Sequence, residues 1–303
     1  MTERLPSWRP GAVRDAIITY LDGLDDVPVA DRVAYFDNDG TLWCERPAYV
    51  QLEFFVDELR RRCDHDASIG ARPEFDAVLR SDPVAMGEVG LEKIAVALAG
   101  LFDGISPGQF ATLVDDFVDR YRHPLLGFPV SRLVYQPMLE LLDELRALEF
   151  TVGIVTGGGT EFVRRISEPL YGIPPELVVG TLIGYQFDRD EEGRPTLRRT
   201  VTLMGQANEG AAKVTQIQTQ LGRPPIVVGG NSGGDREMME WAYAGSHPGL
   251  AILVDHDDAD REYAYVGRAQ SFVEPEAITD VAARLGWVTV SMARDWLTVF
   301  PEV

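Results

Sequence analysis

The stretch VAYFDNDGTLWCERP, residues 33–47, opens as an apolar run and closes on two aspartates one residue apart, Asp37 and Asp39, followed by Gly40 and Thr41. Val, Tyr and Phe favour strands, and an unbroken apolar run reads as a strand buried on both faces. Open α/β sheets collect ligands beyond the carboxyl ends of their strands. Two carboxylates placed where such a strand meets its turn are therefore candidates for chemistry.

Outward from this strand the pattern changes twice. From Glu45 to about Val130, YVQLEFFVDELRRRC, PEFDAVLR, VGLEKIAVALAGLF and SPGQFATLVDDFVDRYR read as amphipathic helices punctuated by Gly and Pro. Then strand and helix alternate. VYQPMLELLDELRALE, TEFVRRISEPLYG, GAAKVTQIQTQLG and DREMMEWAYA are helical. FTVGIVT (150–156), LVVGTLIGYQFD (177–188), PIVVGG (225–230), LAILVD (250–255) and VTVSMA (288–293) are strands, and GRPTLRRT is a hairpin arm. The opening segment GAVRDAIITYLDGL is a further helix. Alternation of this kind predicts an α/β fold, a doubly wound parallel sheet covered on both faces. The expected organisation is an α/β core over 1–44 and 131–303, with an all-helical cap over 45–130 inserted after the first strand.

The strand ends carry a consistent set of side chains. The first delivers Asp37 and Asp39, the next Thr156 with Gly157, and PIVVGG delivers Asn231 and Asp235 within NSGGD. Lys213 lies on the helix before that last strand. The set suits phosphoryl transfer through an aspartyl intermediate. One carboxylate attacks, a second acid protonates the leaving group, and a hydroxyl, a lysine and loop amides hold the phosphoryl oxygens. An anion attacking an anion needs a hard cation between them, and Mg²⁺ takes one or two carboxylates with substrate oxygens.

In order and spacing these segments resemble the haloacid dehalogenase superfamily of phosphohydrolases, over residues 33–240. Asp37-Asn38-Asp39-Gly40-Thr41 matches its Asp-x-Asp-x-Thr motif, VGIVT its second, Lys213 its third, and Gly230 to Asp235 its fourth in altered form. The resemblance implies a Rossmann-like core, with Asp37 as nucleophile and Asp39 as general acid and base. Thr156 and Lys213 would hold phosphate, with Gly157 beside them. Asp37, the carbonyl of Asp39 and Asn231 would hold Mg²⁺, with Asp235 as another ligand or as an anchor behind them. Asn231 stands where the family places a carboxylate, which weakens the hold on a hard cation. Asp39 favours phosphate-ester hydrolysis over dehalogenation, since the dehalogenases lack that acid. The insert resembles the cap of the phosphoserine-phosphatase-like branch, and Glu45, at its start, is a candidate for reading a substrate amine. Phosphoserine phosphatase, a phosphotransferase, and a binding protein that has lost its catalysis are the alternative readings.

Composition narrows the partners. With 28 Lys and Arg against 48 Asp and Glu, the formal charge is −20, the wrong sign for nucleic acid or an anionic membrane surface. The expected partner is a small phosphorylated metabolite. Two cysteines, Cys44 and Cys63, make no disulfide scaffold and read as reduced thiols, Cys44 as a packed one. No charged start followed by an apolar stretch is present, and no run approaches the ~20 residues that span a bilayer, so a cytoplasmic protein without signal peptide is expected. RRRC (60–63) reads as a solvated helix face and DHDDADRE (255–262) as a solvated acidic loop.

Overall fold

The structure is a computed structural model that describes residues 4–245, 247–269 and 271–302. Eight strands form among them: β1 (Val33–Phe36), β2 (Thr151–Gly159), β3 (Val178–Thr181), β4 (Ile183–Arg189), β5 (Pro195–Leu203), β6 (Val227–Gly230), β7 (Leu250–Asp255) and β8 (Val288–Ser291). Six of them make one sheet in the order β3-β2-β1-β6-β7-β8. Every pairing in it is parallel. The α/β class read from the sequence stands.

The chain divides into two compact units, one of Met1–Arg46, Arg122–Thr181 and Gln206–Val303, the other of Pro47–Tyr121 and Leu182–Gly205. The first holds the parallel sheet. All four residues of β1 and of β6 are buried, which explains their continuous apolar character. Val33, Tyr35, Val155, Val179, Val228, Ala251 and Leu253 of the strands form one core with Ile217, Met238, Met239, Val281 and Trp287. Gly229 pairs with Phe36, and a Cβ on it would fall 2.4 Å from that ring, so the glycine makes room for the phenyl group. The connection leaving β1 leads to β2 on one side, and that leaving β6 leads to β7 on the other. Their shared boundary is thus the switch point of the sheet, where ligands collect.

The second unit carries helices at Val50–His65, Pro73–Leu79, Pro83–Val89, Leu91–Ala99 and Pro107–Arg120. Phe54 is its hub, stacked on Phe102 at 5.1 Å and edge-on to Phe110 and Phe117 at 5.7 and 5.5 Å. Ser106 and Gln109 form a capping box at the last of these helices, with Pro107 in its first turn. VGLEKIAVALAGLF, expected as one helix, is interrupted at Gly90, whose φ of 94° is left-handed.

The second unit departs from the sequence-based expectation in two ways. The single strand LVVGTLIGYQFD is broken at Leu182, between β3 of the parallel sheet and β4, which pairs antiparallel with β5 instead. The insert is therefore not all-helical, and its boundaries at 45 and 130 move to 47 and 121, with residues 182–205 added from the segment assigned to the core. The reason is visible at Arg199. Its backbone exchanges hydrogen bonds with Gly104 and Ile105 at 2.8 Å each, and its guanidinium lies 4.7 Å from the Phe110 ring centroid. A buried arginine over a phenyl cluster ties the hairpin to the helices. Arg199→Ala is expected to lower unfolding stability by about 2 kcal/mol through lost cation–π and packing energy. Urea denaturation would measure it, and an unchanged midpoint would show that the hairpin is held otherwise.

Candidate active site

All the side chains singled out at the strand ends lie in the first unit. Asp37 follows β1 directly, its N–H bonded to the Gly229 carbonyl at 2.9 Å, so the β1–β6 ladder fixes its position. Lys213, from the helix Ala211–Leu221, is 3% exposed. Its Nζ donates to Asp37 Oδ1 and to Asp235 Oδ1, each at 2.6 Å. The sequence-based link of residues 37, 213 and 235 is thus a direct triad.

Burial pushes the Asp37 carboxyl well above the usual carboxylate range. Lys213 opposes that shift, and Asp235 and Asp39 reinforce it. Burial would lower the Lys213 ammonium, but the two carboxylates outweigh it, and the net direction is upward. Asp39 is also raised by burial, against hydrogen bonds from Trp43 and Asn38 that hold it down. The Trp43 indole donates to Asp39 Oδ1 at 2.9 Å. A carboxyl kept protonated above its ordinary range is what a proton donor requires.

Thr156 is fully buried in β2 and accepts from the Gly158 N–H at 2.9 Å, while Gly157 beside it is exposed. Asn208, overlooked in the sequence, pins this turn by donating to the Thr156 and Val179 carbonyls at 3.1 Å each. The Tyr171 hydroxyl, also overlooked, donates to Asn38 Oδ1 at 3.0 Å and so braces the residue between the two aspartates.

The fourth motif folds as a short turn around Asp235, which is wholly buried. Asp235 Oδ2 accepts from the Asn231 and Ser232 N–H groups at 3.1 and 3.0 Å and from the Ser232 hydroxyl, while Oδ1 takes Lys213. Asp235, expected as a metal ligand or as an anchor behind the ligands, ties its own loop together. Asn231 keeps its side chain at the switch point, with Thr41 Oγ1 3.4 Å from its Oδ1 and its Nδ2 3.4 Å from Glu45 Oε1. Glu45 is buried as well, and burial raises its carboxyl.

DHDDADRE is not the solvated loop expected, since His256, Asp258 and Glu262 are all buried. His256 Nε2 is 2.7 Å from the Gly40 carbonyl and its Nδ1 is 3.3 Å from Glu262 Oε2. The Tyr135 hydroxyl reaches the other oxygen of Glu262 at 3.0 Å. A sequence rich in Asp gave no sign of this, because the inward direction of three residues depends on the path of the loop. Cys44 is packed as expected, and burial raises its thiol. Arg61 and Arg62 pair with Glu58 on the partly exposed helix face. Among the described residues no single helix is long and apolar enough to cross a membrane.

A divalent cation fits this donor set. Asp37, Asp235 and Glu45 are buried carboxyls and Asp39 is half-buried beside them, against, among the described residues, one buried ammonium, Lys213, so negative charge is in excess. The donors near Asp37 are oxygens, as a hard cation requires. Among the described residues no group of three or more His, Cys, Asp or Glu is arranged to bind a metal alone. An ion here would complete its shell with amide, backbone, water and substrate oxygens.

Residues 34–240 match the profile of the haloacid dehalogenase-like hydrolases. Among solved structures, a protein of unknown function from Bordetella pertussis aligns with a TM-score of 0.54 at 18% identity, over 86% of this chain and 97% of its own. A conserved protein of unknown function from Anaerococcus prevotii aligns with a TM-score of 0.54 at 15% identity, over 91% and 90%. At these identities the likeness is one of fold. A probable phosphoserine phosphatase from Vibrio cholerae aligns at 16% identity with a TM-score of 0.42, over 80% of this chain and 65% of its own. No curated protein matches the sequence.

Proposed function

The chain belongs to the haloacid dehalogenase-like hydrolases, and from that membership we propose that it hydrolyses small phosphomonoesters through a phosphoryl group carried on Asp37. The observation that carries this reading is the buried triad, in which Lys213 bridges Asp37 and Asp235 at 2.6 Å on each side. It leaves one carboxylate at the strand end, aimed by a cation that can also hold phosphoryl oxygens.

In the first step Asp37 Oδ attacks phosphorus. The bond between phosphorus and the ester oxygen breaks, and Asp39 gives its proton to the leaving oxygen. In the second step Asp39 takes a proton from water, the water oxygen bonds to phosphorus, and the Asp37–phosphorus bond breaks to release phosphate. Lys213, Thr156 and the Gly157 amide hold the equatorial oxygens through both steps. Asp37, the Asp39 carbonyl and Asn231 are the residues that would hold Mg²⁺, which when bound offsets the repulsion between the carboxylate and the incoming phosphate. Asp235 acts behind them, setting Lys213 and the Asn231 backbone.

A screen of small phosphate esters, phosphoserine and p-nitrophenyl phosphate included, with Mg²⁺ or with excess EDTA, tests this. Phosphate release that EDTA suppresses by about two orders of magnitude or more is the expected result, on the order of the several kcal/mol that a metal supplies to phosphoryl transfer. Undiminished activity in EDTA removes the metal from the account. No release from any ester in Mg²⁺ removes the phosphatase reading.

A further inference from the structure

Glu45 ends the turn that begins at Asp37, and its carboxylate points at Asn231. It is 7% exposed. Asn231 Nδ2 donates to Glu45 Oε1 at 3.4 Å, and the Thr41 hydroxyl lies 3.4 Å from Oδ1 on the opposite side of the amide. An amide turned this way has its nitrogen committed to a carboxylate, and its oxygen, which accepts from the Thr41 hydroxyl, keeps a second lone pair to meet a cation.

The contact depends on the missing side chain at residue 40. Gly40 has φ 74°, and a Cβ on it would fall 2.0 Å from Asn231 Nδ2 and 3.0 Å from Glu45 Cδ. The turn is held from behind by His256, which donates to the Gly40 carbonyl and faces Glu262. Arg46 Nε lies 4.0 Å from Glu45 Oε1, and Tyr265 lies under the Arg46 guanidinium at 4.2 Å.

Asparagine at 231 offers a metal an oxygen without a charge. The carboxylate lost from that position reappears one layer out, on Glu45, in contact with the same amide. We propose that Glu45 is a positioning residue of the cation site: it fixes the Asn231 amide with its oxygen toward the ion and restores the negative charge that the fourth motif lacks. Outer partners of this kind orient metal ligands and tune their affinity. The inference rests on the metal-dependent reading above.

Titration calorimetry with Mg²⁺ and with Mn²⁺ on the full chain, without substrate, tests it independently of turnover. Glu45→Gln keeps the shape and removes the charge, and it is expected to weaken both ions about 10-fold or more. Asn231→Asp placed in the Glu45→Gln background moves the charge to the ligand itself and is expected to restore most of the lost affinity. A residue that only stabilises the turn gives no such rescue. Glu45→Asp, which retains the charge at a shorter reach, should bind with intermediate affinity, and it carries the test if Glu45→Gln fails to fold. Wild-type affinity in Glu45→Gln, or no rescue by Asn231→Asp, overturns the role of Glu45 and leaves the metal site standing. A wild-type chain that takes up neither ion overturns the metal site itself.

Discussion

Asp37→Asn is expected to lower phosphate-ester turnover by about 10⁴- to 10⁶-fold, the scale on which loss of a nucleophile acts, in a chain that stays folded. The amide has nearly the volume of the carboxylate, its oxygen can still accept from Lys213, and Lys213 keeps Asp235. Stability should move little, because the carboxylate being removed is costly to ionise in place: burial, then Asp235 and Asp39, raise its pKa. The sign follows from linkage. A carboxyl raised in the folded state adds stability below its ordinary pKa, and that contribution is lost as pH rises through the higher folded value. The wild type should therefore lose stability across that window, and the variant should lose only the share that comes from Asp39, also raised by burial. Steady-state rates, thermal melts against pH, and the intact mass after acid quenching check the three parts. A rate within about tenfold of wild type, or a phosphoryl mass on the Asp37→Asn variant, would place the nucleophile elsewhere.

The parallel sheet was legible because its strands are buried on both faces, so their apolar content is continuous and cannot be taken for a solvated loop. The aspartates at 37 and 39 were legible because they end such a run at the carboxyl edge of the sheet, where ligands collect. The β4–β5 hairpin was hidden, since LVVGTLIGYQFD stays strand-like across Leu182 while its hydrogen-bond partner changes from β2 to β5. Local propensity records that a segment is extended, and it carries nothing about which strand it pairs with. The same limit governed DHDDADRE. Its composition reads as solvated, but tertiary contacts with Gly40 and Tyr135 outweigh that preference for His256 and Glu262.

For Asp235 the sequence indicated position and not occupation. Four residues after Asn231, it could either ligate or cap, and the geometry shows the capping contacts, with three donors on Oδ2 and Lys213 on Oδ1. Lys213 was the reverse case. A lysine on a polar helix usually meets solvent, yet here it is enclosed by two carboxylates that sequence spacing places 176 and 22 residues away.

That enclosure makes Lys213→Met the second large effect expected. Methionine fills similar space and removes the one cation between Asp37 and Asp235, leaving Asp37 without its ion-pair partner and Asp235 with only the donors of its own loop. Breaking a buried pair from one side costs about 3–5 kcal/mol, and that loss of unfolding stability is expected near neutral pH. In the wild type the raised Lys213 pKa means that its contribution is complete below the ordinary lysine value and is lost only as pH rises through the still higher folded value. The Lys213 contribution is therefore intact through the neutral range. In the variant the Asp37 carboxyl, raised by burial, loses the Lys213 charge that opposed the shift, so stability falls as pH rises through its titration and returns as acid protonates it. The penalty should accordingly shrink toward acid pH, and added Mg²⁺ should recover part of it at neutral pH by replacing the missing charge. Turnover is expected to fall about 10²-fold or more, in kcat rather than in KM, because the ammonium acts chiefly on charge that develops in the transition state. Urea denaturation across pH, with steady-state kinetics, separates the outcomes. If Lys213→Met keeps wild-type stability and rate, the bridge between Asp37 and Asp235 is dispensable, and the charge balance proposed for the site is wrong.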